Sequence, residues 1–316
     1  MKMLQKLVIA LTPNPSIDKN ISVEHLNIGG LNRVSNIQRV LGGKGINVAK
    51  ILPSFGVRVL ATGFMADHQA LRLAQEFGGV GAMYDFVQIR GDLRVNLNIF
   101  SRDLKCITEI NEIGFPVEGR HIEQLKAKFN SLLDGASIAM MGGSLPQGLG
   151  PDIYYELIST ANEQGVKTIL DASGKAFARG LEAKPFAIKP NIHELEQYLD
   201  CKIESEDEMI KAAKELLGRG IKVILLSLGG EGSMLFINNE IWRTPALKVV
   251  IQDTVGAGDS MVSALIYCLL NNKSSEEIAK YTSIAGSVSV SKGSGEFCTL
   301  REVEGKLSQI TPKRIA

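Results

Sequence analysis

Asp253-Thr254-Val255-Gly256-Ala257-Gly258-Asp259-Ser260 runs straight into a long apolar helical stretch that reaches about Gly293. Gly-Ala-Gly at a helix entrance lets successive backbone N–H groups face outward with no Cβ in the way, and the helix dipole adds positive potential there. Such a turn is an anion hole, and an acid inside one is out of place unless chemistry needs it. Asp259 is placed to take a proton from an attacking hydroxyl. The N–H groups of Gly256, Ala257 and Gly258 would hold the charge of a phosphoryl group in transit. The plain structural alternative is a glycine turn with Asp259 as a helix-start acid.

Upstream of this turn, short β-branched runs alternate with helical patterns. Leu7–Leu11, Val59–Phe64, Ser137–Met141, Thr168–Leu170, Phe186–Ile188 and Val223–Leu228 read as strands. Ile46–Phe55, Gln69–Phe77, Arg120–Leu133, Asp152–Glu163 and Glu206–Leu217 carry apolar residues three and four apart, as helices do. Alternation of this kind means βαβ units, a mostly parallel sheet and helices on both faces. Two segments break it: Ser16–Ile37 and Phe86–Ile113 look like short alternating strands, with Ser101-Arg102-Asp103 as a hairpin turn. They are expected to form a small β-sheet that projects from the main body as a lid. The whole chain, 1–316, then reads as one α/β domain with lid strands inserted from about 16–37 and 86–113.

The 35 Lys and Arg residues balance the 34 Asp and Glu residues. No global field therefore attracts nucleic acid or an anionic membrane, and an anionic ligand must be captured locally. Lys2 and Lys6 before Leu-Val-Ile-Ala-Leu raise the question of a leader peptide, but the apolar run is five residues long and a buried strand is expected. Cys106, Cys201, Cys268 and Cys298 form no CxxC pair and are expected as reduced core or site-lining residues, which points to the cytoplasm. His25, His68, His121 and His193 make no metal-ligand spacing.

Three further glycine or capping motifs follow predicted strands. Gly42-Gly43-Lys44-Gly45-Ile46-Asn47-Val48-Ala49 enters a helix; its glycines allow close backbone approach, Lys44 can pair with an anion, and Asn47 can bridge two hydroxyls. Lys189-Pro190-Asn191-Ile192-His193-Glu194 reads first as a capping box. The same Asn191 and Glu194 could stand near Mg²⁺ and its retained waters. Ser227-Leu228-Gly229-Gly230-Glu231-Gly232 is either a ligand loop at a strand's carboxyl end or a hairpin turn. No Walker A loop occurs, and the first strand carries no Gly-x-Gly-x-x-Gly, which argues against a nicotinamide dehydrogenase.

Together and in this order, these motifs resemble the PfkB (ribokinase-type) carbohydrate kinases, from Thr12-Pro13-Asn14-Pro15-Ser16-Ile17-Asp18 to Lys292-Gly293. The resemblance implies a three-layer α/β/α ribokinase-like fold, a β-lid that often mediates homodimers, and phosphoryl transfer from Mg-ATP. It makes Asp259 the catalytic base, with Gly256, Ala257 and Gly258 as the anion hole. Asp18, Gly43, Lys44 and Asn47 would hold the sugar. Lys189, Asn191 and Glu194 would serve the nucleotide phosphates and Mg²⁺, and Ser227, Gly229, Gly232 and Gly258 would line the ATP site. Asp253, Val255 and the Ser291–Gly295 loop match the place where members bind a monovalent cation such as K⁺.

The Asn14-Pro15-Ser16-Ile17-Asp18 start, Thr108–Glu112 and Gly143–Gly148 resemble the hexose-phosphate branch of that family. There a lid Arg followed two residues later by Asn grips the substrate phosphate; Arg94 and Asn96 match, and Arg suits a bidentate contact. The expected activity is conversion of fructose 1-phosphate to fructose 1,6-bisphosphate. Tagatose-6-phosphate kinase and the minor type of 6-phosphofructokinase are the alternatives, and a non-catalytic sugar-phosphate sensor is the reading from a different class. The chain departs from the family pattern at Leu93, Phe64–His68 and Gly78–Ala82, all on the expected sugar side.

Overall fold

The computed structural model describes residues 6–316; Lys2, part of the leader question, lies outside the described residues. The first strand, β1 (Leu7–Thr12), is an inner strand of the main sheet. Its Val8, Ile9, Ala10 and Leu11 are fully buried, because a parallel strand covered on both faces must be apolar on both. The chain then leaves the main sheet through β2 (Ser16–Val23) and β3 (Asn36–Gly42). It re-enters through α1 (Lys44–Ile51) and β4 (Arg58–Ala66). The helix expected over Ile46–Phe55 changes to a 3₁₀ turn at Leu52–Phe55, where Pro53 cannot donate to an α-helical ladder.

After α2 (Ala70–Gly78) come two short strands, β5 (Met83–Tyr84) and β6 (Val87–Ile89), then β7 (Arg94–Ser101) and β8 (Cys106–Asn111). The βαβ rhythm resumes with α3 (Gly119–Leu132), β9 (Ala136–Gly142), α4 (Ile153–Glu163), β10 (Lys167–Asp171), α5 (Gly174–Glu182) and β11 (Ala187–Ile188). Then follow α6 (Ile192–Leu199), α7 (Glu206–Gly218) and the antiparallel run β12 (Val223–Ser227), β13 (Ser233–Ile237) and β14 (Glu240–Thr244). The chain closes with α8 (Ala257–Leu270), α9 (Ser275–Ser289), α10 (Leu300–Glu304) and β15 (Lys313–Arg314).

The main sheet runs β15-β14-β13-β12-β11-β10-β9-β1-β4-β5, with β6 also paired to β4; it is parallel from β12 to β4 and antiparallel only at the β13–β15 edge. One group of helices, α1, α8 and α9, packs together against it, and α3, α4 and α5 form a second packed series. This is the expected α/β architecture with a mostly parallel central sheet.

A second sheet of four strands, β3-β2-β7-β8, carries the expected small sheet, with two corrections to its limits. The first insertion runs on to Gly42, because Ser16 pairs with Gly42 and Asp18 with Val40. The second begins later than Phe86: Val87 and Ile89 turn into the core and β6 pairs with Phe64–Ala66 of β4. Only from Arg94 onward does the chain pair with β2.

Ser227–Gly232 is a hairpin turn, as the antiparallel β12–β13 pairing shows, and it also stands at a strand's carboxyl end where a ligand loop is expected. A further hairpin signal was missed: Asn238 and Asn239 both take positive φ, 52° and 62°, and close β13 onto β14. Cys268 and Cys298 are buried as expected, but Cys106 and Cys201 lie on the surface rather than in the core; all four are free thiols.

Candidate active site

The site lies where parallel strands end, the usual ligand position in open α/β sheets. Thr12 ends β1, Gly142 ends β9, Asp171 ends β10, and Lys189 follows β11. The entrance of α8 faces this rim. Gly256 is its N-cap with φ 80°, and a Cβ there would come within 2.4 Å of the Phe297 ring. Both facts require glycine. Asp259 follows in the first turn, 6% exposed.

Asn47 of α1 donates from Nδ2 to Asp259 Oδ2 over 2.7 Å, so two motifs 212 residues apart meet in one hydrogen bond. Lys44, at the start of the same helix, donates to Asp171 Oδ1 over 2.9 Å. Lys189 Nζ stands 3.5 Å from the same oxygen and packs against Gly258, where a Cβ would lie 3.2 Å from it. Lys189, Asp171 and Asp259 are buried here, and Lys44, its side chain 31% exposed, closes the cluster. Burial pushes Asp259 above the usual carboxylate range and Asp171 adds to this, while Lys44, Asn47 and Lys189 pull the other way. A carboxylate with raised proton affinity is a stronger base. For Asp171 burial works in the same upward direction, but Lys189 and Lys44 outweigh it and hold the group ionised. Burial works against the Lys44 charge, and Asp171 and Asp259 more than offset it.

A second cluster joins the small sheet to the loop after β1. Asn96 Nδ2 donates to Asp18 Oδ1 over 2.8 Å, and Ser16 Oγ donates to the same oxygen over 2.7 Å. Arg94 donates to Asn96 Oδ1 over 3.1 Å and to the Asn14 carbonyl over 3.3 Å. Burial raises the Asp18 proton affinity, with Ser16, Asn96 and Arg94 opposing. Asn14 in turn donates to Ser144 Oγ over 3.2 Å, tying in the Gly142-Gly143-Ser144 turn. Gly42 backs Asp18: a Cβ there would fall 2.1 Å from Asp18 Oδ2.

Asn191 and Glu194 form the reciprocal capping box, each backbone N–H donating to the other's side chain over 2.8 Å. Ser227 bridges to Asn191 through its backbone, and Gly229 and Gly232 lie on the turn that closes the β12–β13 hairpin. Gly232 has its own structural demand, since a Cβ would meet the Thr244 carbonyl oxygen at 2.0 Å. The capping bonds use Asn191 Oδ1 and Glu194 Oε2, and among the described residues no three His, Cys, Asp or Glu side chains converge on a metal-sized point. This donor set fits a hydrated divalent ion touched through water rather than a protein cage.

Asp253 accepts from the Val255 N–H over 2.9 Å and from the Ser294 hydroxyl, and its own N–H donates to the Val290 carbonyl over 3.3 Å. The segments expected to supply carbonyls to a monovalent cation are therefore held against one another. The four histidines pair with acids or caps: His25 with Asp103, His68 with Asp67 and Asp92, His121 with the Glu118 N–H, and His193 with Glu196.

Asp171 was overlooked in the sequence, although an acid at the end of a predicted strand, directly after Thr168–Leu170, is a recognisable signal. Phe297, which seats against Gly256, has no local signal at all.

Residues 12–301 match the model of the pfkB family carbohydrate kinases. The chain belongs to this family. The 1-phosphofructokinase of Borreliella burgdorferi is 33% identical over 306 residues, 96% of this chain and 97% of the relative. The tagatose-6-phosphate kinase of Staphylococcus epidermidis is also 33% identical, over 283 residues, 89% of this chain and 91% of the relative. Phosphofructokinase-2 of Escherichia coli, solved with substrates and products, superposes with a TM-score of 0.89 at 27% identity, covering 96% of this chain and 99% of that one. Structures of the same enzyme include a complex with potassium and a tetrameric inhibited form. As a pfkB carbohydrate kinase, the chain is a phosphotransferase.

Proposed function

We propose that the chain transfers the terminal phosphoryl group of ATP to a hydroxyl of a hexose monophosphate, converting fructose 1-phosphate to fructose 1,6-bisphosphate. One observation carries this reading: Asp259 sits buried at the glycine entrance of α8, held by Asn47 and flanked by Lys44 and Lys189. Asp259 accepts the proton of the attacking hydroxyl. The N–H groups of Gly256, Ala257 and Gly258 receive the charge on the phosphoryl oxygens, and Lys189 meets the nucleotide phosphates.

Arg94 and Asn96 grip the phosphate already on the sugar, and Asp18, Gly43, Lys44 and Asn47 hold its hydroxyls. The Arg94–Asn96–Asp18 chain of hydrogen bonds supports placing these groups on one ligand. Ser227, Gly229 and Gly232 line the ATP side together with Gly258. Asn191 and Glu194 would hold Mg²⁺ through its waters, and the ion would supply positive charge against the nucleotide phosphates. Asp253, Val255 and the Ser291–Gly295 loop would hold K⁺. Exposed apolar residues on and around the small sheet, among them Leu31, Val34, Ile37 and Ile110, support a lid-to-lid homodimer. Dependence on ATP and a phosphorylated sugar suits a cytoplasmic enzyme.

Tagatose 6-phosphate is the second acceptor to consider, because the two named relatives are equally identical to this chain. A coupled ADP-release assay across fructose 1-phosphate, fructose 6-phosphate, tagatose 6-phosphate, ribose and nucleosides decides between them. Fructose 1-phosphate should give the highest kcat/KM. Turnover of ribose or a nucleoside alone would overturn the phosphosugar reading, and sugar binding without ADP formation would favour the sensor.

A further inference from the structure

β3 is the outer strand of the small sheet, so one side of its backbone has no neighbouring strand. Unpaired edge groups must be satisfied or exposed. At Leu41, 1% exposed, the main body satisfies them with side chains. Glu76 of α2 accepts the Leu41 N–H over 2.8 Å, and Lys50 of α1 donates to the Leu41 carbonyl over 2.6 Å. Lys50 and Glu76 also pair with each other, and their side chains are only 8% and 21% exposed. The pair therefore acts as one extra rung of sheet, built from side chains and mounted on two helices of the body.

The rung sits beside the acceptor groups. Leu41 is followed by Gly42, whose backbone seats the Asp18 carboxylate, and by Gly43, the N-cap of α1. Lys50 lines the same small cavity as Asp18, Asn20, Asn47 and Phe297. A slip of β3 at Leu41 would move Gly42 and unseat Asp18, while α8 and the Lys189 side of the site would stay in place.

We infer that Lys50 and Glu76 are positioning residues that lock the body end of β3, and through Gly42 and Gly43 fix the acceptor subsite. This rests on the proposal that Asp18 and Gly43 hold the acceptor. Lys50→Met removes both the charge and the donor. Glu76→Gln removes the charge and keeps an acceptor for Leu41. Lys50→Arg keeps both donor and charge.

The experiment is steady-state kinetics of the folded variants with ATP and whichever acceptor the wild type phosphorylates best. Lys50→Met should raise the acceptor KM roughly 10- to 100-fold, the scale of a small misplacement. The ATP KM should stay within about twofold, the split that separates acceptor positioning from general damage. Glu76→Gln should raise the acceptor KM as well, and Lys50→Arg should recover most of the loss. An acceptor KM at the wild-type value in Lys50→Met, or equal rises in both KM values, would overturn the inference. Should Lys50→Met fail to fold, a wild-type acceptor KM in Glu76→Gln would overturn it equally. Because the acceptor is the one the wild type prefers, an error over fructose 1-phosphate would appear in the wild-type panel and leave this test intact.

Discussion

Asn47 Nδ2 reaches Asp259 Oδ2 across 2.7 Å, joining the helix that leaves the small sheet to the helix whose glycine entrance is the proposed anion hole. The bond orients the carboxylate and steadies its ionised form against burial.

Removing that donor should therefore raise the proton affinity of Asp259 further. A base works only when deprotonated, so activity is lost as pH falls through its pKa. With Asn47→Leu, the acid limb of kcat/KM should move to higher pH than in the wild type. A pH–rate profile checks this, and an unmoved limb would separate Asn47 from the base.

Asp171 pairs with the buried Lys189 and the partly exposed Lys44. Asp171→Asn leaves Lys44 and Lys189 without their shared anion, and loss of one partner of a buried pair costs about 3–5 kcal/mol. Because the folded Asp171 has a lowered pKa, its stabilisation is present above the unfolded carboxylate value, about 3.9, and fades as pH falls through the folded one. Chemical denaturation across pH should show a large loss for Asp171→Asn near neutrality and a smaller gap to the wild type in acid. The ATP KM should rise with it, since Lys189 loses its anchor.

Arg94→Ala should raise the KM for the phosphosugar by an order of magnitude or more, with the unphosphorylated sugar little affected, a loss of about 1.5–3 kcal/mol for a charged hydrogen bond. Arg94→Lys should recover only part, because a point charge cannot reproduce the planar fork. Equal effects on plain and phosphorylated sugars would contradict the assignment.

Gly256→Ala places a Cβ against Phe297 at a residue whose φ is 80°. Left-handed strain of this kind costs about 1–3 kcal/mol, so the thermal midpoint should fall along with kcat. Gly258→Ala keeps ordinary helical geometry but crowds Lys189, and should reduce turnover more than stability.

How much of this was legible beforehand follows from the range of each interaction. The α8 entrance, the Gly43–Asn47 turn and the Asn191–Glu194 box are local, and their residue types announce them. Period-two alternation marked β2 and β7, yet it could not tell whether Val87–Ile89 pairs with the small sheet or with β4, because both partners accept an alternating strand. Asp171, Phe297 and the Lys50–Glu76 pair act across the fold. Asp171 meets Lys44 from 127 positions away, and nothing in either neighbourhood names the other. The Asn238-Asn239 turn is local too, and its pair of asparagines is a hairpin signal in the sequence.

The most direct measurement is the turnover of Asp259→Asn with ATP and the preferred phosphosugar, set beside ATP binding by calorimetry. The substitution keeps the size of the side chain and removes its basicity. Base catalysis at this position predicts a fall in kcat of roughly 10²–10⁴-fold with ATP affinity retained. A variant with nearly full turnover would contradict it.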